Sequence, residues 1–177
     1  MLRKTILNRI QKHRGFVYGP TRLCEEGATL RLEVEIYPHL RNRPRGSGCG
    51  RRGPQYDTLP TRWFEFVPLW GLRVFFLYRM RRVACAPCGG VRVERVPWAE
   101  GKHQLTTTDA WFLARWAKRL SWQEVAATFR TSWDSVFRAV AMAVAWGRAP
   151  QDLTGIDAVG IDEIQGQHGH RYLTLVY

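Results

Sequence analysis

Four sets of residues in this sequence have the types and spacing to do chemistry. The first is a cysteine knuckle, Cys85-Ala86-Pro87-Cys88-Gly89. Two thiolates three positions apart on a tight turn reach one tetrahedral zinc, and the glycine lets backbone N–H groups approach the sulfurs. A structural zinc takes four ligands, so a second knuckle is expected upstream. Gly46-Ser47-Gly48-Cys49-Gly50 stands there, with the shape and the second cysteine but with Gly46 in place of the first. Such a site holds zinc through Cys49, Cys85 and Cys88 and leaves the fourth position to water or a distant side chain, His39 being the nearby histidine. Structural zinc supplies folding energy to a small module, so a site lacking one ligand is expected to bind the metal more weakly. The same cysteines can also be read as plain buried or free thiols. Cys24, without a partner at useful spacing, reads as a small apolar residue.

The second set is cationic. Arg41, Arg43, Arg45, Arg51 and Arg52 crowd a tract without an acid, in a chain of formal charge +12. Clustered charge of this size favours a polyanion, nucleic acid before all; the other reading is a solvated face that only confers solubility. The third set is a capped helical pair. Ser121 and Glu124 make a capping box, 129–131 a turn, and Ser132 the cap of a longer helix. Trp133, Ser135 and Arg138 would lie at the exposed head of that helix with Ser132, where a recognition helix meets base edges and phosphates. Asp134 beside them would repel phosphate. Arg115, Lys118 and Arg119, on the helix before, can touch phosphates. A plain helical hairpin remains the alternative, because the turn lacks the usual glycine.

The fourth set is a carboxylate, Asp162, in the short apolar strand Gly160-Ile161-Asp162-Glu163. Two-metal phosphodiester chemistry gathers several acids around paired magnesium ions. By strand alternation Asp162 and Glu163 point to opposite faces, so Asp162 alone can enter such a site. A lone aspartate in a strand is also commonly structural.

These residues must be positioned by elements that the patterning partly announces. Leu2, Ile6, Leu7 and Ile10 recur at helical spacing in a short basic helix. Residues 29–37 alternate, with Leu30, Leu32, Val34 and Ile36 on one face. A Gly/Pro/Arg loop follows over 41–54, then strands at about 62–67, 72–80 and 91–96, read as a small antiparallel sheet. Helices occupy 107–146, the last stopped by Gly147 and Pro150, with Val136, Phe137, Val140 and Val144 as its buried stripe. Strand returns at 158–162 and 172–177. No apolar run reaches transmembrane length, and the basic N-terminus does not read as a secretory signal.

The order of these pieces resembles the ISL-three type of insertion-sequence transposase. The residues that carry the resemblance are Tyr78-Arg-Met-Arg-Arg-Val-Ala-Cys-Ala-Pro-Cys-Gly89, Val96-Pro-Trp-Ala99, the helix-turn-helix, Gly160-Ile-Asp-Glu-Ile164 and Gly169-His-Arg-Tyr-Leu-Thr-Leu-Val-Tyr177. The resemblance implies an α+β chain in four parts: an N-terminal helix and strand (1–40), a zinc-ribbon-like antiparallel β module (41–99), a helix-turn-helix three-helix bundle (105–148), and the first β-hairpin of a ribonuclease-H-like core (156–177). It implies zinc on Cys49, Cys85 and Cys88, with Gly46 where the family has its fourth cysteine. It makes Asp162 the first acid of an Asp-Asp-Glu triad that binds magnesium in the whole family core. The expected partner is double-stranded DNA at terminal inverted repeats, bound in the bacterial cytoplasm at the nucleoid, with no membrane and with a homodimer left open. With one acid of three, the chain is expected to be a truncated transposase that binds DNA without cutting it alone. A short DNA-binding regulator or repressor is the alternative.

Overall fold

The computed structural model describes residues 2–27, 29–150, 154, 160–167 and 171–176, and only the backbone for 2–5, 26, 161–167 and 171–176. The chain divides into two compact units, Met1–Val144 and Ala145–Tyr177. The first unit opens with helix α1 (Leu2–Ile10) and continues through strands β1 (Phe16–Glu26), β2 (Thr29–Pro38), β3 (Gln55–Leu69), β4 (Leu72–Cys85) and β5 (Gly90–Val93). Helices α2 (Thr107–Trp116), α3 (Trp122–Phe129) and α4 (Trp133–Arg148) follow, α4 running across the division between the units. Strands β6 (Ile161–Gln167) and β7 (Arg171–Val176) belong to the second unit, where they pair antiparallel with Asp162 opposite Leu175.

The architecture is α+β, as expected, but the sheet is mixed rather than antiparallel. Its order is β1-β2-β4-β3, with β5 also on β4. Strands β1–β2, β3–β4 and β4–β5 pair antiparallel, whereas β2 and β4 run parallel, Arg31–Glu35 beside Arg73–Leu77. Parallel neighbours need a crossover connection, and residues 39–71, with β3 among them, supply it. The pairing therefore runs across residue 40. The β3–β4 turn is Trp70-Gly71, both at positive φ (51° and 77°), the backbone a tight two-residue hairpin demands.

Alternation places one core under the sheet. Leu32, Val34 and Ile36 of β2, Phe64 and Phe66 of β3, and Val74, Phe76, Tyr78 and Met80 of β4 are buried together with Leu7 and Trp98. The Trp98 ring centre lies 4.8 Å from that of Phe16 and 5.2 Å from that of Tyr78, edge to face, an arrangement aromatic quadrupoles favour. A second core joins Ala110, Leu113, Ala114, Val125, Val136 and Ala139 of the three helices.

No strand was anticipated at β1, because Gly19-Pro20 interrupts its alternation; the register shifts there, between Tyr18 and Thr21. Proline is tolerated because β1 is an edge strand, and a Cβ at Gly19 would come within 2.2 Å of the Tyr37 ring. Of the α1 stripe, Leu7 is buried but Ile10 is exposed. The stripe of α4 is Val136 and Ala139; Phe137 and Val144 are 44% and 50% exposed. Phe112, Phe129 and Met142 already line the narrow three-helix core, so only the face with small side chains fits inward. Gly147 lies within α4 rather than ending it, and Pro150 follows two residues after its last turn.

Candidate functional site

Two turns, each ended by a left-handed glycine, assemble the thiols. The Gly50 N–H donates to the Gly46 carbonyl at 3.1 Å and the Gly89 N–H to the Ala86 carbonyl at 3.1 Å, and both glycines are left-handed, at φ 69° and 62°. The 46–50 loop is tied to β5 by Ser47 N–H to the Val93 carbonyl (2.8 Å) and closed on itself by Gly46 N–H to the Arg51 carbonyl (3.0 Å). As a result the Sγ atoms of Cys49, Cys85 and Cys88 lie within 4.8 Å of one another, Cys49 and Cys85 being 3.4 Å apart. Sulfurs around a tetrahedral zinc stand about 3.8 Å apart, given Zn–S bonds of ~2.3 Å, so the donor set fits three corners of such a site. The Arg51 backbone N–H, followed by the two neighbouring thiols, pushes the Cys49 thiol down; Cys49 and Cys88 push the Cys85 thiol up. Among the described residues no histidine, aspartate or glutamate joins the cluster, His39 included. Cys24 stands apart on β1, its thiol pushed up by burial and by Glu33.

Position 46 has room. A Cβ there would meet only Arg92 Cβ, at 3.6 Å, whereas one at Gly48 would come 3.0 Å from Cys88 Sγ. The loop that carries Cys49 can therefore accept a side chain at 46 and resists one at 48.

Arg41, Arg43, Arg45, Arg51 and Arg52 are all exposed. Four of them, without Arg51, line a cavity of about 870 Å³ together with Lys12, Arg14 and Arg95. Spacing in the sequence did not single out these last three, because they come from the end of α1 and the end of β5. The wall of the cavity also holds an ion pair between Arg81 and Glu94 (2.7 Å), both buried. Glu94 also accepts from the Arg81 N–H (2.7 Å) and the Tyr78 hydroxyl (2.6 Å). Burial and that carboxylate push the Tyr78 phenol well up.

The helical pair is built as its caps require. Ser121 and Glu124 form the reciprocal capping box, and Ser132 Oγ accepts from the Ser135 N–H at 3.1 Å. Between the helices Arg130 takes the left-handed conformation (φ 53°) and the Thr131 N–H returns to the Ala126 carbonyl at 3.0 Å. That is a Schellman closure with arginine where glycine is usual. Ser132, Trp133, Asp134 and Arg138 are exposed and Ser135 half-buried. Trp133 stacks on Phe137 and leans on Trp122, at ring-centre distances of 5.6 and 5.4 Å. Arg138 pairs with Asp134 at 2.7 Å. Arg115 and Lys118 are exposed at and just beyond the end of α2, which is capped by Thr106, a cap the sequence reading did not identify. Asp162 is on β6 in the second unit, and its side chain lies outside the described residues.

No family model matches this chain, and no solved structure does. It is similar to the transposase for insertion sequence element IS1001 of Bordetella parapertussis, 28% identical over 128 residues, which cover 72% of this chain and 32% of the relative. It is also similar to the transposase for insertion sequence element IS1557 of two Mycobacterium tuberculosis strains, 26% identical over 164 residues, covering 86% of this chain and 34% of each relative. These relatives support a transposase. The chain spans about a third of the length of the curated relatives it matches.

Proposed function

We propose that these residues form a DNA-binding part of an insertion-sequence transposase of the ISL-three type, with α2–α4 acting as a helix-turn-helix on the element's terminal inverted repeats. The observation that carries this reading is the head of α4. Ser132, Trp133, Ser135 and Arg138 stand at a capped helix N-terminus in a chain of formal charge +12 that is similar over most of its length to a transposase for an insertion sequence element. A helix N-terminus carries orphan N–H groups and the positive end of the helix dipole, both suited to phosphate. Arg138 is held by Asp134 until DNA arrives. An exposed pair at this spacing is worth only about 0.3–0.5 kcal/mol, so a base or phosphate displaces the carboxylate readily.

Cys49, Cys85 and Cys88 would hold a zinc ion whose role is structural, tying the 46–50 loop to the end of β4. In the resemblance Asp162 is the first of three acids around magnesium.

The test is a gel shift with a duplex carrying an inverted-repeat end against a scrambled duplex. The repeat end should bind more tightly, and Arg138→Ala should weaken that binding by roughly 1–3 kcal/mol, the range for a lost base contact. Equal retention of both duplexes would remove the helix-turn-helix reading.

A further inference from the structure

The cavity between the end of α1, the arginine tract and β5 is more strongly charged and more firmly built than the sheet requires. Lys12, Arg14, Arg43, Arg45, Arg52 and Arg95 line it, and among the described residues none of the six is in an ion pair. The one acid in the lining, Glu94, is committed to Arg81 and Tyr78. The walls are joined through Asn42. Its Nδ2 donates to the Gly15 carbonyl at 2.8 Å, the His39 N–H donates to the same oxygen at 2.9 Å, and Arg81 Nη1 donates to the Asn42 carbonyl at 2.8 Å. Gly15 is left-handed (φ 87°), and a Cβ there would come 2.9 Å from Asn42 Cγ. The approach of the two walls thus depends on a glycine at one side and an asparagine at the other. A second cavity of the same volume adjoins the first and shares Arg41, Arg43 and Arg52 with it, so the arginine tract forms a ridge between two basic hollows.

We propose that this cavity is a groove for the phosphodiester backbone of duplex DNA, in which Lys12, Arg14 and Arg95 join Arg43, Arg45 and Arg52 as phosphate contacts and Asn42 is the positioning residue. It rests on the DNA-binding reading above and adds a second set of contacts to those at the head of α4. Guanidinium groups present planar forks that match phosphate oxygens. Adjoining hollows along one ridge suit a chain of phosphates better than a single ion. The wall-to-wall hydrogen bonds are made before any ligand arrives, so little ordering remains to be done on binding. Backbone contacts of this kind fix position without reading sequence.

The experiment is fluorescence anisotropy of the whole chain with scrambled and repeat-end duplexes across a salt titration. It compares the triple variant Lys12→Ala/Arg14→Ala/Arg95→Ala with a charge-matched control, Arg22→Ala/Arg79→Ala/Lys102→Ala. Each lost phosphate contact lowers the slope of log K against log salt by about 0.9. The groove variant should therefore flatten the slope by about 2–3 and weaken both duplexes alike, by roughly tenfold or more at low salt. The control should flatten it by less than about 1. Asn42→Ala, which removes no charge, should also weaken both duplexes while circular dichroism shows the sheet retained. Groove and control variants with equal slopes would overturn the groove. Loss of discrimination alone in Arg138→Ala, with the groove effects intact, concerns only the head of α4. A parent chain that binds neither duplex would remove both readings.

Discussion

Gly46 is the residue at which a ligand set and a backbone conformation part company. Its carbonyl accepts from the Gly50 N–H four residues on, a wider turn than the three-residue Ala86–Gly89 closure, but both end on a left-handed glycine, so the loop brings Cys49 to the other two thiols while offering no sulfur at position 46. Since a Cβ at 46 meets nothing closer than 3.6 Å, Gly46→Cys is expected to fold unchanged and to raise zinc affinity. Metal content after extended dialysis, measured with the parent alongside, checks this; equal retention would mean that the two turns do not face one metal. Cys85 and Cys88 are legible in the sequence because their spacing is local, and Cys49 because its glycine-flanked loop resembles their knuckle. Lys12, Arg14 and Arg95 are not, because no spacing rule links the end of a helix to the end of a strand some eighty residues later. Phe137 is exposed against expectation for a related reason. The faces of α4 containing Val136 and Phe137 are both apolar, and only the width of the core chooses between them.

The elements themselves divide the same way. The capping box at Ser121 and Glu124 was readable from type and spacing, and the structure has it. Strand β1 was hidden by Gly19-Pro20, and the parallel β2–β4 contact has no sequence signature at all, since both strands alternate as antiparallel ones do. The α3–α4 turn is where an element's local preference is overruled. Arg130 sits at φ 53°, a region that costs a side-chain-bearing residue on the order of 1 kcal/mol. Arg130→Gly should therefore raise the stability of the helical part by roughly 0.5–1 kcal/mol, read from urea unfolding followed by helical circular dichroism. No change, or a loss, would mean that the arginine makes contacts that compensate for its backbone.

At the scale of the whole first unit, the junction of sheet and helices carries a pH dependence. Asp109, at the start of α2, is buried; burial first and then Glu65 push its carboxyl up to about 7, against the pull of Arg73. Between about pH 4 and 7 the folded chain keeps a proton that the unfolded chain has released, so Asp109 makes stability fall as pH rises through that window. His13 acts oppositely. Burial lowers its imidazole to about 4, so it makes stability rise from about pH 4 to 6.5, and the two slopes partly cancel there. Asp109→Asn should be more stable than the parent at pH 8 by roughly 2–4 kcal/mol, the gap closing toward pH 4 in urea melts. A gap that does not vary with pH would show that the carboxyl is not protonated in the fold. Finally, the sheet order has a temporal meaning. Each of β1–β2 and β3–β4 is a hairpin that can close within microseconds from neighbouring residues. The parallel stretch of Arg31–Glu35 against Arg73–Leu77 is what welds them into one body. Assembly of this half of the molecule is thus gated by the docking of two finished pieces, so weakening that short seam should slow refolding more than loosening either turn.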